Sequence, residues 1–358
     1  MVDEGLLKEL LNKGIVLDTG DGFKLNPYLD MPRSLGYEDV ALFQGKNTLT
    51  SRLDTNIRSE IIRGVWVDKP FISSNMSSVT NASFADRVSY LGGLGVLHRA
   101  FYLEHQYLKE AEMLVKQSTD SSWNAASIGA GEDQIDLAKK LFDIGINIIV
   151  IDIAQGYSDM VILTANALRK EIPDVKIVVG NTINPEMMYE VDGIADAVKV
   201  GIAQGSVCET KNTAGCTSKM FSVVDSFKGI SKKLGLPIIA DGGTKEPADA
   251  VKAIAAGANS VMMGSVFARC PESAGETVEI DGVVMKKYFG MASREAQKAW
   301  RGGLKQGTCP EGKSVLLPQG ESVKDVMERY SGALRSALTY VGAETIKEFQ
   351  EKVRFVRL

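Results

Sequence analysis

With 358 residues, 44% of them hydrophobic, the chain is long enough to bury a sizeable core, and its 41 basic and 45 acidic side chains leave a net charge of −4. Those charges are interspersed, which gives no support for a nucleic-acid-binding surface, and no apolar run approaches the length of a membrane span. The four cysteines, Cys208, Cys216, Cys270 and Cys309, lack CxxC spacing and paired histidines, so no metal site is expected and a reduced, cytoplasmic protein is.

The first 34 residues carry no signature beyond a turn at 18–22, and the leucine-rich stretch 6–11 is interrupted by charge, unlike a signal peptide. Short runs rich in Val and Ile then recur at 71–76, 95–98, 125–130, 147–154, 176–181, 197–202, 237–243 and 260–265. Little polar alternation breaks them, as expected of parallel strands covered on both faces. Between them lie amphipathic patterns such as 134–142, which read as helices. Eight strand–helix units in a chain of this length predict one α/β domain over 1–358, a (β/α)8 TIM barrel with 1–34 as an N-terminal segment. A doubly wound open sheet is the alternative, because periodicity does not show closure. After the eighth strand, 269–320 reads as an inserted flap, with Asp281-Gly282 supplying the turn of a hairpin at 279–284.

Barrel enzymes place their chemistry on the loops that follow the strands. Cys208 lies in such a loop after the sixth strand, and reads either as a nucleophile or as an ordinary buried cysteine. The seventh strand ends in Asp241-Gly242-Gly243 and the eighth in Gly264-Ser265. Glycines at these two neighbouring exits let backbone N–H groups approach an anion, so a phosphate is expected there with Ser206 adding a hydroxyl; otherwise they serve tight turns. Asp241 would then accept hydrogen bonds from a ribose diol, which makes a nucleotide the expected ligand. Asp152, after the fourth strand, suits the carboxamide or ribose of a nicotinamide, or else caps the next helix. His98 ends the second strand and either lines the site or is structural, while His105 reads as solvated.

Together, Gly205-Ser206-Val207-Cys208-Glu209-Thr210, Ala240-Asp241-Gly242-Gly243, Met263-Gly264-Ser265 and Tyr288-Phe289-Gly290-Met291 resemble the family of inosine monophosphate dehydrogenases and guanosine monophosphate reductases, over about 35–356. The resemblance implies a barrel enzyme whose cysteine attacks C2 of a purine nucleoside monophosphate. Met291 then belongs to the substrate side, a nicotinamide cofactor stacks beside the base, and the assembly is a homotetramer. The dehydrogenases carry an adjacent Arg-Tyr pair in their flap that activates water, and no such pair stands between Met291 and Gly320. The reductases instead need a proton donor for departing ammonia. Their threonine two residues past the cysteine and the glutamate of their Glu-Gly-Lys motif match Thr210 and Glu311, with Lys313 placed by resemblance on the cofactor side. Residues 332–336 and 339–343 also look like the reductases. The resemblance thus implies NADPH-dependent reductive deamination of guanosine monophosphate, or a related 2-aminopurine nucleotide, through a covalent Cys208 intermediate, with Asp152 and Gly156 facing the cofactor. An inosine monophosphate dehydrogenase and a non-catalytic nucleotide-binding subunit are the alternatives.

Departures from the family pattern cluster around the ligands. The loop 209–219 replaces the reductases' Thr-Arg-Lys-Lys-Thr-Gly-Val-Gly, and Gln155 stands where Asn is usual. Thr308 and Pro310 occupy the places of a reductase arginine and serine, so the arginine that would pair with a 2′-phosphate has no match and NADH stays open beside NADPH. The first strand exit, 75–80, lacks the usual Met-Asp, and 202–205 replaces a Gly-Pro-Gly pattern, which leaves a monovalent cation site undecided. A divergent reductase is expected.

Overall fold

The computed structural model describes residues 34–118 and 123–358, together with the strands Val16–Asp18 and Phe23–Leu25, which pair antiparallel. The chain divides into two compact units, Met1–Ser34 and Leu35–Leu358. Of the turn expected at 18–22, residues 19–22 lie outside the described residues.

In the larger unit eight parallel strands form one sheet: β1 (Phe71–Ser73), β2 (Val96–Leu97), β3 (Ala125–Ile128), β4 (Ile148–Asp152), β5 (Lys176–Thr182), β6 (Ala197–Val200), β7 (Ile238–Asp241) and β8 (Ser260–Met263). Neighbours pair in chain order from β2 to β8, and β8 pairs with β1. A parallel bridge between Ile72 and Leu94 joins the remaining gap, with the Ser73 N–H donating to the Leu94 carbonyl at 3.0 Å. The sheet is therefore a closed (β/α)8 barrel and not the open alternative. Helices intervene as the periodicity predicts, the pattern at 134–142 forming Glu132–Ile144. Several strands stop short of their apolar runs, because the residues at their ends, such as Gly264 and Ser265 after Met263, leave the ladder for loops.

Alternation along each strand sorts its side chains into two cores. Ile148, Val150, Val178, Ala197, Ile239 and Met262 join Ile72, Val96 and Ala125 in a buried cluster inside the barrel. The hairpin Ser59–Ile62/Val65–Val67 stoppers that cluster where the strands begin, held by Asn259 and by the Asp196 carbonyl. Ile149, Ile151, Val179, Val198 and Val261 face the other way, into the larger cluster shared with the helices. Each fully buried Val or Ile of these layers is worth about 1.5–3 kcal/mol against exposure. The same alternation, carried to the ends of β4, β6 and β7, brings Asp152, Lys199 and Asp241 to the interior face.

The insertion after β8 folds as a three-stranded antiparallel sheet of β9 (Thr277–Ile280), β10 (Val283–Phe289) and β11 (Ser314–Pro318), with a helix, Arg294–Arg301, between the last two. Asp281 and Gly282 make the expected hairpin turn, at φ of 50° and 78°. Among the described residues no helix is long and apolar enough to cross a membrane, and no group of three His, Cys, Asp or Glu could hold a metal ion.

Candidate active site

Past β6 the chain carries Cys208 into the lining of a cavity of about 460 Å³ formed by the loops that follow the strands. Two sets of hydrogen bonds fix this loop. Within it, the Cys208 N–H donates to the Gly205 carbonyl at 3.0 Å. From outside, the stretch 311–313 of the flap pairs with it: the Glu209 N–H donates to the Glu311 carbonyl at 2.8 Å and the Lys313 N–H to the Val207 carbonyl at 2.9 Å. This antiparallel bridge, between Cys208 and Gly312, sets the Glu311 side chain against Thr210. The Thr210 hydroxyl donates to Glu311 Oε2 at 2.7 Å, and Cys208 Sγ lies 3.3 Å from the same hydroxyl oxygen. A hydroxyl has one proton. When it is spent on an ionised Glu311, the thiol can only donate into Thr210, which gives an S–H···O–H···O line from sulfur to carboxylate.

A second constellation lies at the ends of β4, β5, β6 and β7. Lys199, its side chain 3% exposed, places Nζ 2.9 Å from Asp152 Oδ1 and 2.6 Å from Asp241 Oδ2, and also hydrogen-bonds Asn181 Oδ1. Asn181 Nδ2 in turn donates to Asp241 Oδ2 at 2.9 Å. Burial opposes a charged lysine, yet the two carboxylates outweigh it and hold the ammonium above its ordinary pKa. Burial likewise works against an ionised Asp152, but Lys199 and Arg99 hold that carboxyl below the usual range. Sequence reading passed over Lys199. The signal was present, since a lysine inside the apolar run Ala197-Val198-Lys199-Val200 sits where a two-sided strand buries its side chains.

Of the residues singled out from the sequence, Ser206, Cys208, Thr210, Asp241, Gly242, Gly243, Gly264, Ser265, Met291, Glu311 and Asp152 all line this one cavity. The expected anion cradle needs one correction: the Gly243 N–H is already donated to the Gln204 carbonyl at 3.1 Å and is not free for a phosphate. Gly156 and Lys313 are not in the lining. Gly156 is buried against β5, where a Cβ would stand 2.4 Å from the Gly180 carbonyl carbon, so close packing accounts for it. Lys313 is exposed and paired with Glu209 at 2.9 Å. His98 is structural: buried outside the cavity, it stacks on Phe101 at 4.4 Å, and its Nδ1 accepts the Ala100 N–H at 3.0 Å. The cavity also takes in Arg99, Trp300 and Arg301, which sequence reading did not select. Both guanidinium groups lie over the indole, at 5.2 and 4.0 Å from its centroid. No sequence signal marked them, because the path of the flap alone carries Trp300 to Arg99.

A family model described as IMP dehydrogenase / GMP reductase domain matches residues 34–358. Among curated proteins, a GMP reductase of Aliivibrio salmonicida (strain LFI1238) is 32% identical over 339 residues, covering 92% of this chain and 96% of its own. A GMP reductase of Serratia proteamaculans (strain 568) is 33% identical over 333 residues, covering 90% and 94%. One of Phytophthora infestans is 31% identical over 341 residues, covering 93% and 92%.

Proposed function

The chain belongs to the IMP dehydrogenase / GMP reductase family of oxidoreductases, and from that premise we propose that it reductively deaminates guanosine monophosphate, or a related 2-aminopurine nucleotide, to inosine monophosphate and ammonia. The observation that carries this reading is the Cys208–Thr210–Glu311 line. The Cys208 proton passes through Thr210 to Glu311, and Sγ forms a bond to C2. The C2–N bond then breaks, and the amine takes the proton back from Glu311 through Thr210 and departs as ammonia. A reduced nicotinamide, when bound, supplies the hydride that forms the new C–H bond at C2, and the Sγ–C2 electron pair returns to Cys208. No water is consumed, which agrees with a flap that offers a proton donor and no Arg-Tyr pair.

The cavity has the groups both ligands require. Asp241 suits the ribose of the purine nucleotide, and the turns at Gly242-Gly243 and Gly264-Ser265 with Ser206 suit its phosphate. Asp152 suits the ribose of the cofactor, and Arg99 and Arg301 beside Trp300 suit an anionic, aromatic dinucleotide. NADPH is the cofactor proposed, with NADH as the comparison, because Thr308 is exposed and brings no positive charge. A cytoplasmic homotetramer completes the reading on family resemblance.

The test is the loss of nicotinamide absorbance when the purified chain is mixed with guanosine monophosphate and NADPH or NADH, beside a Cys208→Ala variant. Oxidation with ammonia release in the wild type alone is the expected result. No oxidation with either cofactor rejects the assignment.

A further inference from the structure

The purine-side carboxylate Asp241 and the cofactor-side carboxylate Asp152 come from opposite sides of β6, yet they share one buried ammonium, Lys199 Nζ, at 2.6 and 2.9 Å. We propose that Lys199 is a positioning residue that couples the two binding sites, holding both carboxylates ionised and oriented so that neither ligand binds independently of the other. The inference rests on the roles just proposed for Asp152 and Asp241.

Three observations support it. The lysine is committed to the site, since its side chain is 3% exposed and its contacts there are Asp152, Asp241 and Asn181. Two carboxylates left half-buried in one cavity without a cation would repel each other and resist ionisation, and a neutral carboxyl is a poorer acceptor for a diol. Structural need does not account for the charge, because the interior layer beneath it is apolar, built of Ala197, Ile239 and Met262, and a methionine would continue it. Asn181 ties the pair further by donating to Asp241 while it accepts from Lys199, so a shift of the ammonium moves Asp241 with it.

The experiment uses the full chain with the variants Lys199→Met, Lys199→Arg and Asp152→Asn. Isothermal titration measures guanosine monophosphate and NADPH binding separately, and steady-state kinetics give KM and kcat. Lys199→Met is expected to weaken both ligands together, by roughly ten- to a hundredfold for loss of charge-assisted contacts, while kcat at saturation and the alkylation rate of Cys208 change far less. Lys199→Arg restores part of both affinities. Should Lys199→Met fail to fold, Asp152→Asn still decides the matter: it releases Lys199 to turn wholly to Asp241, so guanosine monophosphate affinity drops severalfold although residue 152 is assigned to the other ligand. The coupling is overturned if Lys199→Met weakens one ligand alone, or lowers only the melting temperature, or if Asp152→Asn leaves nucleotide affinity unchanged. Binding needs no turnover, so a wild type that binds both ligands without reacting overturns the proposed function and leaves the coupling to be judged by the titrations. A wild type that binds neither overturns both.

Discussion

The single proton of the Thr210 hydroxyl gives the relay at Cys208 its direction, and removing that hydroxyl should cut it at one atom. Thr210→Val keeps the side-chain shape, so kcat is expected to fall by roughly 10²–10⁴, the usual worth of a positioned acid–base group, with nucleotide affinity and melting temperature nearly unchanged. Glu311→Gln should match it, and the double variant should be no worse than either, because the two groups act as one unit. Activity within a few-fold of wild type in either single variant would remove them from the mechanism. The cysteines differ in a way a thiol titration can read. Cys216 and Cys309 are exposed and Cys208 is partly so, whereas burial pushes the Cys270 thiol up to about 12. Native protein is expected to titrate at the first three positions and to yield Cys270 only on unfolding, with guanosine monophosphate protecting Cys208. Labelling of native Cys270 at a comparable rate would contradict the packing around it.

At the scale of elements, the flap reaches the cysteine loop through one antiparallel bridge, and Gly312 sits at its crossing. A Cβ there would stand 2.8 Å from the Ser293 nitrogen and 3.2 Å from the Ala292 carbonyl carbon, both backbone atoms with little freedom to yield. Gly312→Ala is therefore expected to displace Glu311 by a fraction of an ångström to an ångström and to lower kcat by roughly tenfold or more, while circular dichroism and the melting temperature of the barrel stay close to wild type. Unchanged kcat would mean that the bridge does not set the glutamate. The hairpin of the flap was legible in the sequence because Asp281-Gly282 dictates a turn locally. β11 was not, since Ser314–Pro318 earns its strand by pairing with β10 across the helix and loop that separate them. Asp241 was legible from its place at a strand end, whereas its hydrogen bonds to Asn181 and Lys199 depend on which strands lie side by side.

For the molecule as a whole, eight apolar runs were enough to count the barrel's strands but not to close it, because closure is a pairing of Ile72 with Leu94 and no local pattern encodes a pair. Stability of the closed barrel should carry the mark of its one buried histidine. Burial lowers the His98 pKa from 6.5 to about 4. Between those values the unfolded chain binds a proton that the native state refuses, so stability is unaffected above pH 6.5 and falls as pH drops toward 4. Comparing urea midpoints at pH 7.5 and 4.5, we expect wild type to lose on the order of 2 kcal/mol more than His98→Asn, a variant that cannot take up the proton. Equal losses would show that His98 titrates normally.

The nucleophile is carried by the barrel and the acid that answers it by the insertion, and the two meet across a seam a single bridge wide. Capture and outcome are thus inherited on separate pieces of chain. A different insertion grafted after β8 could deliver another proton, or a water, to the same sulfur-bound base without altering a residue that holds the nucleotide, so that the fate of the captured purine is exchangeable while its capture is not.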